Sequence, residues 1–317
     1  MSRVAAIDCG TNSIRLLVAD VTTSSDGVRD LRDVHREMRV VRLGQGVDAT
    51  GRLAPEALER TRAALVDYAA IARRKGVERV RMVATSATRD AANREDFFAM
   101  VREVLGVDAE VITGDEEARL SFIGAVGDFD PADGPFVVSD VGGGSTELVV
   151  GRWDGATAEI DAAFSADIGC VRLTERCLRA DPPSAEEAAE AERVARGILD
   201  EAFAAVDASG ARTWVAVAGT ATTLSAVAQD LPDYDPAAIH LSRLSQKVLR
   251  ETTSSLLTMS HEQRAAIGSM HPGRVDVISG GALVVKVIAD ELHERAGINV
   301  MCVSEHDILD GIALSIS

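Results

Sequence analysis

The chain repeats itself. Asp8-Cys9-Gly10-Thr11-Asn12-Ser13 is matched, at an offset of 132 positions, by Asp140-Val141-Gly142-Gly143-Gly144-Ser145. In one register Asp8 aligns with Asp140, Gly10 with Gly142, Ser13 with Ser145, Leu16 with Leu148 and Val18 with Val150. Each copy joins two apolar runs, residues 4–7 to 14–21 and 136–140 to 146–150, and so reads as strand, turn, strand. One D-x-G turn alone is a plain hairpin, because Asp and Gly are common turn residues. Two copies one domain length apart imply a duplicated domain, and 317 residues leave room for two.

Such turns suit phosphate binding. Glycine has no Cβ, so successive N–H groups at Gly142, Gly143 and Gly144 can close around phosphate oxygens. Thr11, Ser13, Ser145 and Thr146 add hydroxyl donors. Asp8 and Asp140, at the strand ends, are placed to hold a divalent ion or its waters and so offset phosphate charge. Two such loops closing on one phosphoryl group describe an α/β protein of two duplicated actin/hexokinase/Hsp70-like (ribonuclease H-like) domains with a cleft between them. The intervening sequence alternates accordingly. A helix opens at Pro55 and stops at Gly76, strands are expected at 34–43, 79–85, 107–113, 214–218 and 298–304, and helices at 94–105 and 275–292. Ser184 with Glu187, and Ser260 with Gln263, have capping-box spacing. Gly219-Thr220 follows a strand and opens a helix, where a phosphate would meet unpaired N–H groups.

Composition limits the partners. A net charge of −17 repels polyanions at long range and argues against general nucleic-acid binding, while leaving room for a locally positive cleft. At 3% aromatic content a base-stacking platform is not expected. Only Lys75, Lys247 and Lys286 are lysines; the other basic residues are arginine, the better bidentate phosphate ligand. Cys9, Cys170, Cys177 and Cys302 form no C-x-x-C pair and have no zinc spacing, and no signal-like or 18-residue apolar run occurs, so a cytoplasmic protein with reduced thiols and no membrane contact is expected. The six histidines show no ligand spacing and read as structural. Arg36, Arg39 and Arg42 read as a solvated strand face or, more sharply, a polyphosphate track; the acidic helix at 186–201 reads as a solvated face.

The local patterns resemble the exopolyphosphatase/guanosine pentaphosphatase (Ppx/GppA) family. A-I-D-C-G-T-N-S-I-R, ending at Arg15, is similar to that family's D-x-G-T-N-S-x-R segment, and D-V-G-G-G-S-T-E-L to its D-x-G-G-G-S-T-E. A-T-S-A-T-R-D-A-A-N (84–93), T-G-D-E-E-A-R-L (113–120), I-G-C-V-R-L-T-E (168–175) and V-A-G-T-A-T-T-L (217–224) follow in the family's order. The resemblance implies hydrolytic release of a terminal phosphate from polyphosphate or guanosine pentaphosphate with Mg2+ or Mn2+, in a homodimer. It implies Glu117 as the base that activates water, with Glu116 the adjacent alternative. Asp140 and Glu147 would organise metal and water, with Asp8 the metal from the other side. Asn12, Ser13, Gly142, Gly143, Gly144, Ser145, Thr146, Gly219 and Thr220 would cradle the phosphoryl group, and Arg15 and Arg89 would bind its oxygens. A carboxylate opening a helix stays ionised and can orient water, and phosphoryl transfer asks the protein mainly for positioning and electrostatics.

Two departures stand out. Where the family has S-x-x-G-L-R-x-G, this chain has Asp307 and Leu309 in place of the Gly and Arg, and the appended HD-type domain of longer members is not expected. The expected domains are residues 1–121 with about 305–317, and 122–304. Two other functions share the fold: an ATP-dependent small-molecule kinase, with Gly280-Gly281 near the adenosine, and a non-catalytic alarmone-binding regulator. The T-G-D-E-E-A-R segment suits a water-activating glutamate better than a hydroxyl base, and retention of Glu117, Asp140 and Glu147 argues against the regulator.

Overall fold

The computed structural model describes residues 1–24 and 28–316; residues 25–27 and 317 lie outside the described part. The chain divides into two units, Met1–Gly124 with Ile308–Ser317, and Ala125–Asp307. Each is built on one mixed sheet.

The first unit contains β1 (Ser2–Cys9), β2 (Ser13–Thr23), β3 (Arg29–Val40), β4 (Arg79–Ala84) and β5 (Ala109–Val111), in the order β3-β2-β1-β4-β5. Strands β1 to β3 form an antiparallel meander, and β4 and β5 continue in parallel from β1. Its helices are α1 (Val47–Thr50), α2 (Pro55–Lys75), α3 (Ser86–Asp90), α4 (Arg94–Leu105) and α5 (Gly114–Val126), whose last residues pass into the second unit. Strand β1 is buried on both faces. Its period-2 alternation sends Ala5 and Ile7 into one apolar cluster, with Tyr68 of α2 and Phe97 of α4, and Val4 and Ala6 into another.

The second unit runs β6 (Phe136–Val141), β7 (Thr146–Trp153), β8 (Ala158–Ala166), α6 (Cys170–Cys177), α7 (Ala185–Ala205), β9 (Thr213–Val217), α8 (Ala218–Ala228), α9 (Pro236–Ile239), β10 (Arg243–Ser245), α10 (Gln246–Thr258), α11 (His261–Ala265), α12 (Ile278–Ala296) and β11 (Val300–Val303). The chain then returns to the first unit as α13 (Ile308–Ile316), whose Ile308, Leu309 and Ile312 fill the apolar cluster of Val4 and Ala6.

The second sheet, read as β8-β7-β6-β9-β11, repeats the first, with β10 added antiparallel at the edge. The likeness reaches single atoms. The Gly10 N–H donates to the Ser13 carbonyl at 3.0 Å and the Gly142 N–H to the Ser145 carbonyl at 3.0 Å. Pairing of β2 with β3 slips between Val18 and Ala19, and pairing of β7 with β8 slips between Val150 and Gly151, the same offset again. An irregularity repeated in register is a feature of the fold rather than a local accident. This is the actin/hexokinase/Hsp70-like, ribonuclease H-like architecture, present twice.

Both capping boxes form as their spacing predicts. Several boundaries differ from the sequence reading. Strand β3 ends at Val40, and Arg42 takes a positive φ of 50° beyond it. The helix expected from 275 begins at Ile278, after a single 3-10 turn at Pro272–Arg274, and runs on to Ala296 before Gly297 caps it in the left-handed region.

Candidate active site

In the first unit, Asp8 ends β1 and stands directly opposite Arg15 on β2. Arg15 Nη2 lies 2.7 Å from Asp8 Oδ2 and Nε 3.0 Å from the same oxygen. The turn between them is clamped by the following segment: the N–H groups of Val41 and Arg42 donate to the Asn12 carbonyl, and that of Gly44 to the Thr11 carbonyl. Gly44 is required there, because a Cβ would stand 2.3 Å from Thr11 Cγ2. Arg89 lies on α3, which follows β4, and Glu117 in the first turn of α5, which follows β5. Both therefore issue from the same ends of parallel strands as Asp8, the position where open α/β sheets place their ligands. Arg89 Nη1 donates to Glu117 Oε2 at 3.2 Å and to the Ile112 carbonyl at 3.0 Å. Glu117 is buried, whereas its neighbour Glu116 is half-buried and tied to Arg81 at 2.7 Å.

In the second unit, Asp140 stands directly opposite Glu147. Directly opposed residues have Cβ atoms about 5 Å apart and project from the same sheet face. Both are buried, at 6% and 1% exposure, and Glu147 Oε1 accepts from Ser165 Oγ at 2.7 Å. The intervening turn is fixed by its carbonyls: the N–H of Cys170 donates to the Gly142 carbonyl, and those of Val171 and Arg172 to that of Gly143. The turn and α6 meet so closely that a Cβ on Gly169 would lie 2.5 Å from Gly143 backbone. Among the described residues the N–H groups of Gly143 and Gly144 find no acceptor. Ser145 is buried, and Thr146 donates its hydroxyl to the Ile168 carbonyl at 2.6 Å.

Strand β9 lies beside β6 and leads into α8, so Gly219 and Thr220 rise from the same sheet edge as Asp140. Thr220 Oγ1 donates to the Val141 carbonyl at 3.0 Å, tying the helix start to the end of β6. Ala218 is held at φ 63°, a strained value for a residue with a Cβ. The Arg274 guanidinium covers Gly219, where a Cβ would fall 1.6 Å from Nη2. A helix N-terminus and a guanidinium thus share one spot, and both favour an anion.

The chain matches the Ppx/GppA phosphatase family over residues 17–316. It belongs to that family. Exopolyphosphatase 2 of Mycobacterium tuberculosis is 60% identical over 322 aligned residues, covering 100% of this chain and 99% of the relative. An exopolyphosphatase-like protein of known crystal structure superposes with a TM-score of 0.93 at 43% identity, covering 99% of this chain and 98% of that one. The Aquifex aeolicus PPX-GPPA enzyme gives 0.78 at 31% identity and 99% coverage of both.

In this Ppx/GppA chain the structure also places several residues that the sequence had singled out. Arg36 pairs with Asp33 and Asp310, and Arg39 with Glu37 and Asp67, so both guanidiniums are engaged by carboxylates of the chain itself. Gly280 and Gly281 serve packing, with a Cβ falling 2.4 Å from Thr174 Oγ1 and 2.6 Å from Thr220 Cγ2. Leu309, in the family's arginine position, is a core residue. Sequence reasoning missed Arg274, because a contact between positions 219 and 274 leaves no local period; the absence of a side chain at Gly219 was its one signal. No described helix is long and apolar enough to cross a membrane.

Proposed function

We propose that this chain is an exopolyphosphatase, releasing the terminal orthophosphate of inorganic polyphosphate. The observation that carries the reading is the glycine turn of the second hairpin, with the buried Asp140–Glu147 pair at its base. The exopolyphosphatase name of the 60% identical relative supports it. Glu117 is the base: it takes a proton from the attacking water as the new P–O bond forms and the terminal P–O–P bond breaks, the shortened polyphosphate departing as an anion. Arg89 holds the Glu117 carboxylate in place through Oε2. Glu116, engaged by Arg81 at the surface, is the weaker candidate. The Gly143 and Gly144 N–H groups, the start of α8 and Arg274 receive phosphate oxygens.

Mg2+ or Mn2+ fits Asp140 and Glu147. Two carboxylates buried side by side repel, and an oxygen-only donor set is what these hard ions take. Bound there, the ion neutralises phosphate charge. Asp8 is engaged by Arg15, so its contribution to a metal is secondary. Guanosine pentaphosphate, which ends in the same anhydride, is an alternative substrate.

Phosphate release by purified protein with Mg2+ or Mn2+, offered short polyphosphate, long polyphosphate, guanosine pentaphosphate and ATP in parallel, tests the proposal. Polyphosphate should be consumed, and Glu117→Gln should slow it by about 10² to 10⁴-fold. Activity undiminished in Glu117→Gln would remove Glu117 as the base. No release from polyphosphate would end the exopolyphosphatase reading.

A further inference from the structure

Outside the phosphate loops, three side chains from distant stretches of the second unit converge. His306 Nδ1 lies 2.6 Å from Asp128 Oδ2, and His240 Nε2 lies 3.4 Å from the same oxygen. The two imidazole centroids are 4.8 Å apart, and one ligand atom from each of the three residues falls within 4.8 Å of the others. We propose that Asp128, His240 and His306 form a second divalent-metal site, for a borderline transition metal of the Zn2+ class, chemically distinct from the oxygen-only pair Asp140–Glu147.

The donor set points to the metal. Two imidazoles and one carboxylate suit Zn2+, Co2+ or Ni2+, while Mg2+ prefers oxygen. A tetrahedral ion with bonds of about 2.1 Å sets its ligand atoms roughly 3.4 Å apart. The His240–Asp128 separation already has that value, the His306–Asp128 contact at 2.6 Å opens to it by a small side-chain shift, and the two imidazole nitrogens lie no more than 4.8 Å apart. All three side chains are partly exposed, so an ion can enter and water can complete its coordination.

The frame around the cluster is rigid. Ser304 Oγ accepts from the His306 N–H at 3.0 Å and donates to the His306 carbonyl at 2.9 Å. The Leu241 N–H donates to the Val303 carbonyl at 2.7 Å, which fixes the residue after His240 to the end of β11. Hydrogen bonds from His240 and then His306 hold the Asp128 carboxyl well below the usual carboxylate range, so a charged ligand is already present. In the metal-free state protons occupy the cluster: His240 Nδ1 accepts from the Glu305 N–H at 3.3 Å, which directs the ring proton on Nε2 toward Asp128. Binding displaces protons from the ligating nitrogens and gives up that long Glu305 contact, a cost that weakens the site relative to a cysteine cage. Asp128 follows soon after the chain crosses into the second unit, and His306 shortly precedes the crossing out. An ion here would fasten the incoming and outgoing segments of that unit together.

The test is a Co2+ titration of the whole protein in excess Mg2+, which fills hard oxygen sites without competing for imidazole. One Co2+ per chain should give the visible absorption of an imidazole-bound ion, bleached by Zn2+, and Zn2+ addition should release protons. His240→Gln and His306→Gln should each weaken binding at least about tenfold, while Glu147→Gln leaves it unchanged. Asp128→Asn, which keeps the shape of the side chain, should also weaken it, and the melting temperature of each variant without metal shows whether it folds. No visible absorption in the wild type, or equal absorption in folded histidine variants, would overturn the proposal and leave the cluster as a hydrogen-bonded trio alone.

Discussion

In the first hairpin the residue facing Asp8 across the strands is Arg15; in the second the residue facing Asp140 is Glu147. The two positions correspond through the repeat, beside turns closed by the same glycine-to-serine hydrogen bond. One copy therefore neutralises its aspartate from within, through an ion pair at 2.7 Å, and the other buries two acids in register. A like-charge buried pair is unfavourable unless something cationic is added. Duplication thus supplied two turns of one shape, and a single side chain separates the turn that sets an arginine opposite its aspartate from the one that sets a second acid there.

That contrast can be broken outright. Glu147→Arg imposes the pairing of the first hairpin on the second and should lower the rate of polyphosphate hydrolysis by about 10³-fold, read as kcat at saturating Mg2+. A near-normal rate would show that the metal does not depend on this pair. The reverse exchange, Arg15→Glu, sets a second acid directly opposite the buried Asp8 and should cost about 3 to 5 kcal/mol in urea unfolding. An unchanged midpoint would mean that Arg15 does not carry the neutralisation. Mg2+ sharpens the comparison further: at 100 times its dissociation constant it should stabilise the wild type by about 2.7 kcal/mol in the same unfolding assay, and Glu147→Gln should respond far less.

The smallest expected effect lies at the far end of the first hairpin, where Arg3 faces Asp20. Hydrogen bonds from Arg3 and then Arg32 hold the Asp20 carboxyl at about 2. A depressed folded-state value contributes stability above the ordinary carboxylate range and loses it as the pH falls toward 2. Replacing Asp20 with Asn should therefore lower stability by a constant amount near neutrality, where the slope is unaltered, and flatten the acid limb of the profile between roughly pH 4 and pH 2. A profile that keeps its slope in Asp20→Asn would assign the acid loss to other carboxylates.

What was legible in the sequence was what repeats or caps locally. The hairpins, the two capping boxes and the strand-to-helix turn at Gly219 are each set by residues within a few positions of one another. Arg274 over Gly219, Arg36 on Asp310 and the Asp128–His240–His306 cluster join segments tens to hundreds of residues apart, and no periodicity encodes such pairings. Gly280 and Gly281 misled for a related reason: a glycine pair reads alike whether it opens space for a ligand or removes a Cβ so that helices touch, as α12 does against Thr174 of α6 and Thr220 of α8. The placing of Glu117 over Glu116 came from the motif alone; in the structure the two differ as a buried and a half-buried carboxylate.

The return of α13 to the first unit has a consequence for synthesis. This helix supplies Ile308, Leu309 and Ile312 to the face of β1 and β2 formed by Val4, Ala6 and Leu17, and Gly311 fits so tightly on α5 that a Cβ would lie 2.1 Å from the Leu120 carbonyl oxygen. On the ribosome that sheet face waits uncovered while all of Ala125–Asp307 is translated. At about 5 to 20 residues per second, the delay is on the order of 10 to 40 seconds. The unit that is begun first is thus finished last, and its bare apolar face is where a nascent chain of this protein most needs a chaperone.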